Sequence, residues 1–445
     1  MKLSSILGLN ARNGLFANNS STGRKIARSK ILTKRVLGKM GIPTPELYKV
    51  FRKNEDIVNF DWGKLPPSFA LKPSKSSYGD GIIIIRKKSN DGKAWVTTQR
   101  KKLNSSDFNF HILDILEGAY SIGSVPDVAF CEEYVGRHKI FRRFAYRGTP
   151  DIRIMVFNRV PVMAMLRLPT RESGGKANLH KGAVGTGIDL ETGITTSAVY
   201  HGEPIYYKPG TQNGGNRNSY KLSGLKIPHW NHILEIAVKA QIVSELNLAG
   251  IDIVLHPERG PLVLEINSQP GLQIQLANLS GLRKRLERVE DLNILDAEHG
   301  VKVAKALFHG NSGLKKRLKT EELSVGIFEK VKVKGNGKKG KVLAAKVDTG
   351  AKSTAIDRTH AWSLGLLEKN NVLWDRKFLS SLGEQKRPVV NITFWLAGKK
   401  ITTQAGVADR KRLKTPMIIG RRDLTGFVID PNKTNRNLSS TSYKK

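Results

Sequence analysis

Residues 250–267 read GIDIVLHPERGPLVLEIN, two nearly all-apolar runs on either side of a turn, with Asp252 in the first and Glu265 and Asn267 in the second. Runs of this kind read as buried strands. Pairing residue 256 with residue 261 sets a hairpin register in which Asp252 lies opposite Glu265. Side chains alternate along a strand, so Glu265 and Asn267 share one face. Two directly opposed carboxylates repel each other. A hard divalent cation held by carboxylate and amide oxygens, with substrate phosphates completing its shell, removes that penalty. The plainer reading is a solvent-facing acidic pair beside a turn, but it leaves unexplained why three polar groups stand on otherwise apolar strands.

A length of 445 residues calls for two or three domains, and a hydrophobic content of 39% is enough for genuine cores. No apolar run reaches bilayer-spanning length. The opening MKLSSILGLNARNGLF has too short an apolar patch for a secretory leader. The single cysteine, Cys131, excludes an internal disulfide framework and a multi-cysteine zinc site. The expectation is a cytoplasmic protein with no membrane partner. A formal charge of +37 puts a positive field over much of the surface. Nucleic acid is the usual partner of such a field, but an anionic small substrate or an acidic polymer fits equally well. Lysine and arginine are spread along both halves, without a recognition helix, zinc finger or aromatic ribonucleoprotein motif, so nucleic-acid recognition is not the favoured reading.

Residues 1–28 read as a basic N-terminal arm, loop-like around NNSSTG. SKILTKRVLGKMG (29–41) has Ile31, Leu32, Val36, Leu37 and Met40 near helical spacing, stopped by Gly41 and Pro43. Strand-like SFALKP, GIIIIRK and DVAFCEEYV follow, with a helix expected over 106–119. RRFAYRG, PDIRIMVF and VPVMAMLRL predict an antiparallel meander of three strands. Residues 171–187, RESGGKANLHKGAVGTG, predict a long functional loop, and NHILEIAVKAQIVSEL a helix. From 321 the texture changes to short strands with frequent Gly and Lys: GIFEKVKVKG, GKVLAAKVD, PVVNITFWL, KKITTQAGVAD and PMIIG. The expected divisions are the arm 1–28, a first domain 29–285, a charged linker 286–322, a second domain 323–432 and a tail 433–445.

FALKPSKSSYGDGI (69–82) offers Lys72 at a strand end and a small-residue loop, with Ser76, Ser77, Gly79 and Gly81, whose backbone N–H groups could close over phosphates. A simple hairpin turn is the alternative. AFCEEYV (129–135) ends a buried strand with Glu132, Glu133, Tyr134 and Val135. Such an edge can present backbone groups to an adenine, or is merely an amphipathic strand end.

Taken in order, Lys30, Lys72, the Ser/Gly loop, EEYV, PDIR, MAMLRLPT, GKANLHKGAVG and EINSQPGL resemble the ATP-grasp superfamily, most closely its alpha-L-glutamate ligase-like branch, over about residues 25–285. The resemblance implies an α+β ATP-grasp domain that joins a carboxylate to an amine through an acyl phosphate. ATP is the phosphoryl donor, Mg²⁺ (or Mn²⁺) the metal, and a glutamate-like amino acid and a carboxylate or peptide acceptor the substrates. By the same resemblance, Lys30 and Lys72 contact phosphates, and Glu132, Glu133, Tyr134 and Val135 form the adenine hinge. Asp151 and Arg153 lie by the ribose and substrate side, and Lys176, Ala177 and Asn178 lie near the triphosphate. Asp252, Glu265 and Asn267 hold the metal, and Arg167 steadies the acyl phosphate. Such ligases carry a whole domain ahead of the first lysine helix where this chain has only a short arm, so part of the substrate pocket is expected to be missing or to come from a partner.

AAKVDTGAKSTAID (344–357) places Asp-Thr-Gly after an apolar strand, where glycine permits the turn that lifts Asp348 out of the strand. With the distal PMIIGRRDL, it resembles the retropepsin-like aspartic proteases, and within them the group labelled "ATP-dependent zinc protease", over about 325–432. The resemblance implies an all-β acid-protease barrel with Asp348 as the catalytic aspartate. Such chemistry needs two carboxylates sharing a proton, so a homodimer through the barrel is expected to supply the second. A barrel that only binds peptide is the alternative. Zinc finds no support, since this region has His360 alone and no cysteine.

Overall fold

The chain opens on helices rather than on a loose arm: α1 (Leu9–Ala17), α2 (Ser21–Arg28) and α3 (Lys30–Lys39). Ser20 and Ser29 cap α2 and α3, each hydroxyl accepting from a first-turn N–H, of Gly23 and Leu32 respectively. A Cβ on Gly23 would lie 2.6 Å from the carbonyl oxygen of Ser244, and Ile26 is buried, so α2 is seated against the body of the protein. The computed structural model describes residues 3–58, 60–76, 79–121, 123–205, 221–308, 323–380, 383–411 and 413–433. They divide into one unit through Ala304 and a second that holds residues 323–433.

In the first unit, β1 (Leu47–Phe51), α4 (Glu55–Val58), β2 (Phe69–Pro73), β3 (Ile83–Lys88), β4 (Trp95–Thr97), β5 (Lys102–Leu103), α5 (Ser105–Leu116) and β6 (Ala129–Glu133) build a sheet of order β1-β6-β2-β3-β4-β5. Phe51, Trp62, Phe69, Trp95 and Phe108 pack edge-to-face and stacked in its core. The helix expected over 106–119 is α5, started by a capping box between Asn104 and Asp107.

A second sheet follows from β7 (Asp151–Phe157), β8 (Val160–Leu168), β9 (Val184–Ile188), β10 (Thr195–Tyr200), β11 (Glu203–Ile205), α6 (Trp230–Val243), β12 (Leu248–His256) and β13 (Gly260–Asn267), in the order β11-β10-β9-β8-β7-β12-β13. Helix α6 packs on β7, β8, β12 and β13, while α7 (Ile274–Ala277) packs on β8, β9 and β10. β7 and β8 are buried at every position, the charged Asp151, Arg153 and Arg167 included. RRFAYRG forms turns instead of the expected first meander strand, and the third strand is Val184–Ile188, inside the stretch expected to be all loop.

The stretch expected as a linker from 286 starts within α8 (Arg283–Glu287) and continues into α9 (Ala297–Phe308), whose Val301, Val303 and Ala304 are buried. The first unit therefore extends past residue 285.

The second unit contains β14 (Leu323–Val325), β15 (Phe328–Val333), β16 (Lys341–Asp348), β17 (Ala355–Asp357), α10 (Arg358–Ser363), β18 (Val372–Ser380), β19 (Gly383–Leu396), β20 (Lys399–Ala408), β21 (Met417–Gly420) and β22 (Phe427–Ile429). Its sheet runs β15-β16-β21-β17-β20-β19-β18, and an added β15–β19 pairing closes it into a barrel. Val331 and Val333 of β15 and Ala345 and Val347 of β16 point into the core and alternate with exposed lysines such as Lys330, Lys332 and Lys346, as a small barrel requires.

Candidate active site

The hairpin of β12 and β13 brings Asp252 opposite Glu265 and Gly250 opposite Asn267. The register differs from expectation. His256 pairs with Gly260, not 261, across a tighter turn in which Gly260 takes φ +78. A bulge between Asp252 and Ile253 then shifts the pairing by one. Leu264, inside the bulge, joins Leu262 and Val254 in one apolar cluster, and Glu265 still lines the same cleft.

Across the neighbouring strands, Asp252 pairs with Arg153 of β7, and Asp151 with Arg167 of β8. Arg153 donates to both oxygens of Asp252, Nε at 2.7 Å and a terminal nitrogen at 2.6 Å. Arg167 grips Asp151 at 2.5 and 2.6 Å and reaches Asp252 at 2.7 Å. All four side chains are buried. Burial alone would raise the pKa of Asp252, but the guanidiniums of Arg153 and Arg167 outweigh it and hold the carboxyl well below its usual range. Burial, opposed by Arg167 and reinforced by the Asp252 charge, raises Asp151 to about 6. The amide nitrogen of Asn267 donates to Asp252 and to Glu265, each at 3.2 Å.

Facing this array are the lysines. Lys30, at the start of α3, donates to the carbonyl of Ser76 at 2.7 Å, with its Nζ 4.0 Å from Glu265. Burial lowers the pKa of Lys30, partly offset by Glu265. Lys72 on β2 is ion-paired with Glu132 on the adjacent β6, and Lys34, one helical turn beyond Lys30, meets the same carboxylate at 2.6 Å. Lys34 was not anticipated, although its i+4 spacing from Lys30 on α3 was visible. The Glu132 side chain therefore holds two lysines. Glu133 is also engaged, with His256 at 3.2 Å, with Arg259 and with the N–H of Glu46. Tyr134 and Val135 line the same cleft, and the Val135 carbonyl accepts from Thr149 at 2.6 Å.

The small-residue loop and the later loop meet at Asp80, which pairs with Lys181 at 2.5 Å and Lys176 at 3.4 Å. Asp80 and Lys181 were also missed, although Lys181 stands in the NLHKG motif. Asn178 caps a short helical turn by accepting from the His180 N–H at 2.9 Å. Gly79 and Ser76 line the cleft. Gly81 (φ +70) does not: a Cβ there would strike the Tyr120 ring at 2.6 Å, and its carbonyl contacts His111 at 2.8 Å. Ser77 lies outside the described residues. The cleft is about 1320 Å³ and is lined by every other candidate of the first unit: Lys30, Lys72, the hinge, Asp151, Arg153, Arg167, Lys176, Ala177, Asn178, Asp252, Glu265 and Asn267. Arg24, Lys25 and Arg28 of α2 line it too.

Two carboxylates and an amide on one strand pair suit a hard cation by donor type. Among the described residues, no group of three or more His, Cys, Asp or Glu side chains is arranged to hold a metal, so the set is completed only by the Asn267 oxygen. Asn267 presents its nitrogen to both acids, and turning the amide over supplies that oxygen without changing its shape.

In the second unit Asp348 ends β16, and its Oδ1 accepts from the N–H groups of Gly350 (3.0 Å) and Ala351 (3.2 Å). Parallel pairing sets Asp348 beside Gly420 of β21, and Arg421 donates to the carbonyls of Thr349 and Gly350. Thr354 bridges to Asp423 at 2.5 Å and to the Gly420 N–H at 3.2 Å.

No described helix is long and apolar enough to cross a membrane. The model of a family described as sugar-transfer associated ATP-grasp matches residues 14–291. A "Probable alpha-L-glutamate ligase" of Pectobacterium carotovorum is 37% identical over 67 residues, 15% of this chain and 20% of that protein. One of Xanthomonas euvesicatoria is 23% identical over 261 residues, 58% of this chain and 63% of that protein. The chain thus spans less than two thirds of the length of these curated relatives. A D-alanine–D-alanine ligase from Bacillus anthracis, solved with ATP, is 15% identical over 61% of this chain and 68% of its own, with a TM-score of 0.35.

Proposed function

The chain belongs to the sugar-transfer associated ATP-grasp family, and on that footing we propose that its first unit is an ATP-dependent ligase that joins a carboxylate to an amine, with a glutamate-like amino acid as one substrate. The observation that carries this reading is the convergence on one cleft of two lysines, two acids, an amide and a buried arginine drawn from both sheets and α3. Lys30 and Lys72 supply positive charge for phosphates, and Glu132 holds Lys72 in place. Asp252, Glu265 and Asn267 are the residues that would hold Mg²⁺, which when bound neutralises charge on a transferring phosphoryl group. Arg167, held in place by Asp151, stands where it can stabilise an anionic acyl phosphate. The Asp80 pairs with Lys181 and Lys176 join the loop of Gly79 to the loop of Lys176–Asn178, both of which line the cleft. The amine then displaces phosphate from the activated carboxylate, forming the amide.

The test is ADP release from Mg-ATP across a panel of amino acids, with mass spectrometry of the products. Amino-acid-dependent turnover that yields an adduct supports the reading. Nucleotide binding without turnover leaves a non-ligating nucleotide module.

For the second unit, the braced Asp348 loop and its parallel neighbour β21 favour a retropepsin-like barrel that holds acidic or glutamylated peptide, cleaving it if two copies pair their Asp348 carboxylates. Cleavage of a glutamyl peptide that vanishes in Asp348→Ala is expected. Cleavage that persists in that variant contradicts the assignment.

A further inference from the structure

Beside the nucleotide cleft, and sharing Thr98 and Tyr134 with it, lies a second cavity of about 540 Å³. Arg86, Arg100, Arg137, Arg142 and Arg147 line it, and no Asp or Glu does. We infer that this cavity is a binding site for a small, multiply charged oxyanion of the oligophosphate class, distinct from the nucleotide cleft and independent of the ligase reading.

Three observations carry the inference. Five like charges around one small space repel one another, so the arrangement is stabilised by a counter-anion. Two of the arginines stand on left-handed backbone, Arg100 at φ 71 and Arg147 at φ 50, where glycine or asparagine would be less strained. Local contacts also hold some of these arginines in place. Arg137 donates to the carbonyl of Ala145 at 2.7 Å, and Arg147 packs over the Tyr146 ring with its guanidinium 5.1 Å from the centroid. The planar guanidinium fork suits phosphate oxygens.

The shape selects among anions. The volume falls within the range of about 300–1,000 Å³ for small-ligand pockets. A peptide places one carboxylate per residue, so five would spread over about 17 Å of extended chain. An oligophosphate concentrates its charge on adjacent phosphorus centres, which matches five arginines lining one cavity better. A free oligophosphate and the phosphates of a second nucleotide share this chemistry.

The test is calorimetric titration of inorganic tripolyphosphate, and of GTP in parallel, into the full chain carrying Glu265→Gln in Mg²⁺-free buffer, where the nucleotide cleft is not expected to bind. Saturable one-site binding is expected, tighter than that of pentaglutamate, and the tighter of tripolyphosphate and GTP identifies the source. Arg100→Gln with Arg142→Gln, both at exposed positions, is expected to weaken binding about tenfold or more with an unchanged melting temperature. Lys332→Gln with Lys334→Gln, which removes the same charge from the second unit, is expected to have no effect. Equal losses in the two double variants, no loss in the arginine variant, or tighter binding of pentaglutamate overturns the proposal.

Discussion

Glu132 is the residue on which the first unit's buried charge turns. Its carboxylate is 1% exposed and faces Lys34 and Lys72. Burial opposes its ionisation, but the two lysines outweigh that and hold its pKa below the ordinary 4.5. A depressed acid contributes stability above its unfolded pKa and loses it as pH falls through the folded value. Urea unfolding should therefore show stability declining on acidification below about pH 4.5, a decline that is shallower in Glu132→Gln. At neutral pH, Glu132→Ala leaves two lysines buried without their partner and should cost about 3–5 kcal/mol, measured by the same unfolding. The neighbouring Cys131 gives a simpler readout. It is fully buried, and burial, aided by Glu132, pushes its thiol far up. Since the thiolate is the reactive form, a thiol reagent at pH 8 should leave the native protein unlabelled and add one label after unfolding; rapid native labelling would contradict the packing.

The hairpin that carries Asp252 and Glu265 shows what an element's sequence does and does not reveal. Its two apolar runs were legible as strands, and the facing of the two acids was expected correctly, but from the wrong register. Composition gives no signal for the bulge at Leu264, because a bulge depends on how the strand meets its partner. Gly250 belongs to the same element. A Cβ there would fall 2.6 Å from the Pro270 ring, so the turn after Asn267 depends on that close approach. Gly250→Ala should destabilise by about 1–3 kcal/mol and weaken Mg-ATP binding, checked by unfolding and calorimetry on the same sample. The motifs PDIR and MAMLRL were readable through their resemblance to the ATP-grasp superfamily, and EIN also through the strand alternation that sets Glu265 and Asn267 on one face. The Asp151–Arg167 bridge, between consecutive strands, and the Arg153–Asp252 bridge, between strands far apart in sequence, were not, since alternation alone does not fix which residues two strands set opposite each other. Residues 286–322 were expected as a linker because of their frequent charges and the basic stretch SGLKKRLKT, yet the apolar side of α9, which lies within them, is buried.

At the scale of the whole molecule, the texture change near 321 was legible as a series of strands, which begins with β14 at Leu323, while short strands such as β17 and β22 fell below what alternation can resolve. The +37 charge bears on the partners of the protein rather than on its fold. If anionic substrates are drawn in by this field, the KM for an acidic acceptor should rise as salt shortens the screening length from about 10 Å at 0.1 M, while the KM for a neutral acceptor stays level. Steady-state kinetics across a salt series tests this. The central claim is that Asp252, Glu265 and Asn267 grip a magnesium–nucleotide complex together with Lys30 and Lys72. Calorimetry of Mg-ATP against the intact chain and Glu265→Gln addresses it directly: saturable binding that needs Mg²⁺ and weakens at least about tenfold in the variant is the expected result. No heat with the intact chain, or undiminished Mg²⁺-dependent binding in Glu265→Gln, would contradict it.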